Sequence, residues 1–95
     1  MLVRTGELFR SRISLSLPVT STAPLEARLA DPGVKMPRFL KVDLAATASP
    51  GAEKRVVEFS GVPLKRDIGE FSVGVYELGS DACVGKVVIQ VEATR

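Results

Sequence analysis

The chain has no histidine, no tryptophan and no asparagine, and it has one cysteine and one tyrosine. Without histidine, the commonest general acid–base and metal-ligating side chain is missing. Lysines and carboxylates remain, but none stands in a recognisable catalytic motif, so enzymatic activity is not expected. The lone Cys83 excludes an internal disulfide framework and a cysteine-built zinc site. Beside Ala82 and Val84 it reads as a small buried hydrophobe rather than a reactive thiol. With no asparagine there is no N-glycosylation sequon. With Tyr76 as the only large polar aromatic, platforms for sugars or nucleobases are sparse. No apolar run approaches the roughly 18–20 residues that cross a bilayer as a helix. Met1 to Gly6 shows neither the hydrophobic region nor the cleavage site of a signal peptide. Direct membrane insertion is not expected.

What is present describes a small folded unit. At 95 residues the chain allows one domain. Residues 1–95 read as that single domain, its core from about Gly6 to Ala93, cut from a larger protein. Apolar residues make up 45% and charged residues 25%, which suits a globular domain and not a disordered one. Thirteen Lys and Arg are interleaved with eleven Asp and Glu. A nucleic-acid binder concentrates its cations in a stripe, so a solvated mixed surface is the expectation and nucleic acid is not a partner.

Period-two alternation, the mark of a half-buried strand, recurs along the chain. From Arg10 to Leu17, Ile13, Leu15 and Leu17 oppose Arg12, Ser14 and Ser16, and Pro18 ends the run. From Leu25 to Asp31, Leu25, Ala27 and Leu29 oppose Glu26, Arg28 and Ala30, before a turn at Asp31-Pro32-Gly33. Lys41 to Leu44 is a short strand, and Ala45 to Lys54 a long hairpin loop. Arg55 to Ser60 follows with Val57 and Phe59 inward. From Glu70 to Leu78, Phe71, Val73 and Val75 share one face; Glu70, Ser72, Gly74 and Tyr76 share the other. Gly79-Ser80-Asp81 turns the chain into Val84 to Ala93, with Val87, Ile89, Val91 and Ala93 on one face. About seven short strands divided by turns, with no helical period, predict an all-β antiparallel sandwich.

Three segments in order carry a resemblance. They are Met36-Pro37-Arg38-Phe39-Leu40-Lys41-Val42-Asp43, then Glu58-Phe59-Ser60-Gly61-Val62-Pro63-Leu64, then Asp67-Ile68-Gly69-Glu70-Phe71-Ser72-Val73. Together they resemble the cadherin-like, Ig-like β-sandwich domains of the dystroglycan type, found in dystroglycan, the sarcoglycans, a fungal bud-site selection membrane protein and microbial surface proteins. Phe39 stands where the family often has Trp, and Met36 where it often has Leu. Gly6 to Phe9 resembles the family's first strand. The fold-defining residues are then Pro37, Phe39, Leu40, Phe59, Gly61, Pro63, Gly69 and Phe71. Pro37 stiffens a tight turn, and Phe39 and Leu40 plug one end of the sandwich.

The resemblance implies an adhesion or spacer module of a larger surface protein, meeting a protein partner or neighbouring domains. Calcium, which cadherins use, needs clustered carboxylates. Asp31, Asp43, Asp67 and Asp81 are isolated, so they read as turn-forming residues and no cofactor is expected. The alternative is an intracellular scaffold domain that homodimerises or captures a peptide at a sheet edge. The lone cysteine and absent sequon favour the cell interior; the resemblance favours the extracellular side and is given more weight. A carbohydrate-binding sandwich is disfavoured by the few aromatics.

Candidate interaction residues are the loop Ala45 to Lys54, with Ser49, Pro50 and Lys54, and the face with Ser72, Gly74 and Tyr76, where Tyr76 is either an exposed anchor or packs under a neighbouring loop. Lys65 and Arg66 form a small basic patch if Lys54 and Arg55 lie beside them, and a solvated turn otherwise. Arg10 and Arg12, with Arg4 nearby, either meet an acidic partner or guard a sheet edge.

Overall fold

Alternation of apolar and polar side chains becomes two facing sheets. The computed structural model describes residues 1–30 and 35–94, so the expected turn at Asp31-Pro32-Gly33 lies outside the described residues. The strands are β1 (Leu2–Arg4), β2 (Phe9–Pro18), β3 (Leu25–Leu29), β4 (Lys41–Asp43), β5 (Lys54–Gly61), β6 (Gly69–Glu77) and β7 (Cys83–Glu92). A 3-10 turn spans Lys65–Asp67. One sheet has the order β1-β7-β6-β3, the other β2-β5-β4. This is an all-β sandwich.

Each strand sends its alternate residues into one core. Val57, Phe59, Val73, Val75 and Ile89 are wholly buried, and Leu15 and Val91 nearly so. Every buried side chain among the described residues is uncharged, because a two-layer core this thin offers charges no water.

Two differences from expectation have local causes. The sandwich is not wholly antiparallel, because Leu2–Arg4 forms a strand that runs parallel to β7 with Leu2 opposite Gln90 and Arg4 opposite Glu92. Three residues are too few to show a period, so sequence pattern misses it. Val3 is 5% exposed, which starts the core there and not at Gly6. Backbone bonds hold the segment: the Met1 amine donates to the Val88 carbonyl at 2.8 Å, and the Gln90 N–H to the Met1 carbonyl at 2.8 Å. Gly6 to Leu8, expected as the start of the first strand, is instead the turn and connection leading to β2.

The second difference is a β-bulge. Val75 pairs with Gly85 and Tyr76 with Cys83, which leaves Val84 as an extra residue on β7. The bulge turns Val84 inward and leaves Cys83 exposed. Cys83 is therefore not the buried hydrophobe its neighbours suggested.

The end plug forms as the sequence predicts. The Leu40 N–H donates to the Pro37 carbonyl at 3.1 Å, closing a turn. That turn drives Phe39 and Leu40 inward, each 8% exposed. The Phe39 ring meets Phe9 edge-to-face at 6.2 Å and Phe71 at 5.6 Å. Burying such an aromatic stabilises the fold by roughly 2–3 kcal/mol. Pro63, two residues past the end of β5, is fully buried, and its carbonyl accepts from the Gly6 N–H at 2.8 Å.

Gly61 makes the plug possible. Its φ is +153°, and a Cβ there would lie 1.9 Å from the Phe39 carbonyl oxygen. Backbone lies against backbone, so nothing can swing aside. Gly61→Ala should cost roughly 3 kcal/mol or more, by clash and strain together. Gly69, at φ +143° with open space around it, should cost only about 1–2 kcal/mol when changed to alanine, from strain alone. Urea unfolding of the two variants checks the order.

Candidate interaction surface

The outer face of the four-stranded sheet carries Ser72, Gly74 and Tyr76, as their alternation with Val73 and Val75 requires. It is not the open face expected. Cross-strand register sets Glu26 beside Tyr76 and Arg28 beside Gly74. The Tyr76 ring lies back across Gly74, where a Cβ would sit 2.7 Å from the ring. Gly74 is thereby buried, and Ser72 and Tyr76 are half-buried. The Arg28 guanidinium lies 4.0 Å from the ring centroid. It also donates to the Ser80 carbonyl at 2.9 Å and faces Glu26 at 2.6 Å and Asp81 at 3.7 Å. Tyr76 is thus sandwiched between Gly74 and Arg28, and Arg28 ties β3 to the turn between β6 and β7.

The loop from Ala45 to Glu53 belongs to the other sheet, joining β4 to β5. Asp43 accepts from the Ala45 N–H at 3.0 Å and starts the loop with an Asx turn. The Thr47 carbonyl accepts from Arg12 at 3.2 Å. Ser49, Pro50 and Lys54 are exposed. The loop and the Tyr76 face therefore belong to different sheets and do not form one continuous sheet surface.

Lys65 and Arg66 are exposed in the 3-10 turn, but Lys54 and Arg55 do not join them. The first pair follows the last residue of β5 and the second pair opens it. An extended strand of this length holds its ends about 23 Å apart. Arg55 instead donates to the Ala23 carbonyl at 2.7 Å. Asp67 accepts from the Leu64 N–H at 2.8 Å, a turn-forming role like that of Asp43. Asp31 lies outside the described residues, and among those described no three His, Cys, Asp or Glu residues gather as metal ligands.

Arg10 and Arg12 point outward from β2, an edge strand. Glu58 sits between them, 3.6 Å from Arg10 and 3.5 Å from Arg12. Arg4 belongs to β1 in the other sheet and does not extend this pair.

Pairing across β2, β5 and β4 also assembles a group that linear reading misses. Arg10 and Lys41 both stand opposite Ser60, one on each side. Arg38, from the turn that positions Phe39, lines the same cleft of about 370 Å3, with Leu8 and Val62 at its rim. The only signal in the sequence is the alternation that turns Arg10, Lys41 and Ser60 outward; their meeting depends on a register that sequence alone does not give.

No family model, curated protein or solved structure matches the chain. Its function is therefore argued from the sandwich and these surfaces.

Tyr76 is the only tyrosine, and there is no tryptophan, so intrinsic fluorescence reports on that one ring. Arg28→Ala should raise acrylamide quenching of the tyrosine signal. Because the Arg28 side chain is 39% exposed, its ion pairs are screened and the loss of stability should be only about 1 kcal/mol, most of it from the ring contact. Quenching unchanged from the parent would show that Arg28 does not cover the ring.

Proposed function

We propose that this domain is a non-catalytic interaction and spacer module of a larger surface protein, akin to the dystroglycan-type cadherin-like domains. The observation that carries the reading is the direction of the first and last strands. β1 and β7 lie side by side and run parallel. A chain passing through such a domain enters and leaves running in the same direction; Met1 stands beside Val88 and Thr5 beside Thr94, so entry and exit lie roughly 15 Å apart along the strand axis. Domains of this kind extend a chain rather than folding it back.

The motif segments add support. Phe39 lies against the Gly61 backbone and against the Phe71 ring, so the three segments behind the resemblance meet at one end of the fold. Sequence segments tens of residues apart that close one plug are what a shared architecture requires. The module acts through its surfaces, which meet neighbouring domains or a partner protein, with no group transferred and no cofactor needed.

Two copies joined from Thr94 to Met1 by a short linker test the geometry by small-angle X-ray scattering. The maximum dimension should rise well beyond the 42 Å long axis of one domain. A particle no longer than two domains lying side by side would sink the spacer reading. Placement outside the cell is tested on the full-length protein carrying a tag beside this domain. Protease added to intact cells should remove the tag; protection until the membrane is permeabilised would favour the intracellular scaffold instead.

A further inference from the structure

The outer face of the three-stranded sheet carries more cations than carboxylates. Around the cleft and the residue row beside it, Arg10, Arg12, Arg38 and Lys41 face only Glu58 and Asp43. Glu58 serves two guanidinium groups at once, and Asp43 spends one carboxylate oxygen on the Ala45 N–H. Among the described residues, no ion pair involves Arg38 or Lys41.

We infer that this cleft binds an extended acidic peptide segment, its carboxylates on Arg10, Arg38 and Lys41 and its apolar side chains on Leu8 and Val62. Arg10 and Lys41 stand on strands that flank β5, so their backbones lie about 9–10 Å apart with the Ser60 hydroxyl between them. The long Arg10 and Lys41 side chains can close that gap onto two carboxylates about 6.6–6.8 Å apart on one face of an extended strand, and the planar arginine forks can take a carboxylate by two parallel bonds. Leu8 is 69% exposed and Val62 42% exposed at the rim. Apolar surface beside cations suits an extended peptide that presents acidic and apolar side chains on one face, at every second position. A sulfated sugar has no apolar side chain to place there. A bilayer would gain little, because two side chains bury too small an area to hold a membrane surface. The assignment does not depend on the spacer reading, since a scaffold domain inside the cell would use the same cleft.

The probe is a fluorescein-labelled peptide that carries Asp or Glu at two successive every-second positions and Leu or Val at the next, with Ser between them, titrated with the intact domain and followed by anisotropy. A matching peptide with Lys in place of each acid is the control. Binding should be saturable, weaken with added salt, and be absent for the basic peptide. The double variant Arg38→Glu with Lys41→Glu should weaken it at least about tenfold. Both side chains are exposed, so the fold should be kept, and an unchanged melting temperature checks this. Lys54→Glu with Lys86→Glu makes the same charge change away from the cleft, Lys54 lying about 20 Å along β5 from Ser60 and Lys86 on the other sheet, and should leave binding within about twofold. Equal loss in both double variants would reduce the effect to net charge and overturn the assignment. So would failure of the acidic peptide to bind, or stronger binding to heparin fragments or phosphatidylserine vesicles than to the peptide.

Discussion

The contact of the Phe39 carbonyl with the bare Cα of Gly61 is the constraint on which the rest of this structure depends. It joins the turn at Pro37 to the end of β5. Once that turn is seated, Phe39 reaches both Phe9 at the start of β2 and Phe71 in β6, so one side chain bridges the two sheets. The chain has four phenylalanines, and the three rings of this group close the end of the core while Phe59 lies fully buried in β5. A chain without tryptophan has few other ways to seal a sandwich end, because aliphatic side chains cover less area per residue. The same turn delivers Arg38 outward and Lys41 to the first position of β4. The residues that close the core on one side therefore shape the cationic cleft on the other.

Much of the architecture was legible because the strands alternate over long enough runs. β2, β5, β6 and β7 span eight to ten residues each, and two or more repeats of the period are visible in every one. β1 was not legible, since three residues give a single inward side chain, Val3. Its place is set by tertiary pairing with β7, which no local pattern encodes. Cys83 was misread for a related reason. Its neighbours Ala82 and Val84 suggest an apolar setting, but the bulge at Val84 sends Val84 inward and leaves Cys83 outside. A bulge is invisible to a strict period of two.

The surfaces were less legible than the fold. Tyr76 stands on the face expected, yet its ring is covered because Gly74 leaves a hollow two residues away and Arg28 reaches over it. The glycine was read as an outward residue without a side chain, and the consequence for its neighbour depends on a rotamer. Lys54 and Lys65 stand apart because the strand between them is extended, a distance that charge pattern alone does not encode. The cationic cleft went unread because its members come from three separate segments, and only the register of two strand pairs brings them to Ser60.

Sheet edges decide which kind of interaction this domain favours. Three of the four edge strands are short: β1 and β4 have three residues and β3 has five. Short edges offer little backbone for an added strand. β2 is longer, at ten residues, but its pairing with β5 is irregular between Ser14 and Pro18, and Pro18 lacks an N–H. At its other end Arg10 and Arg12 point outward, so two copies of β2 side by side would bring like charges together. Strand addition, the mode an edge-capturing scaffold would need, thus meets resistance at each edge. The faces and the closed end have no such protection. There the chain leaves Leu8 and Val62 open beside its surplus cations, and a partner that carries carboxylates gains there what the edges withhold.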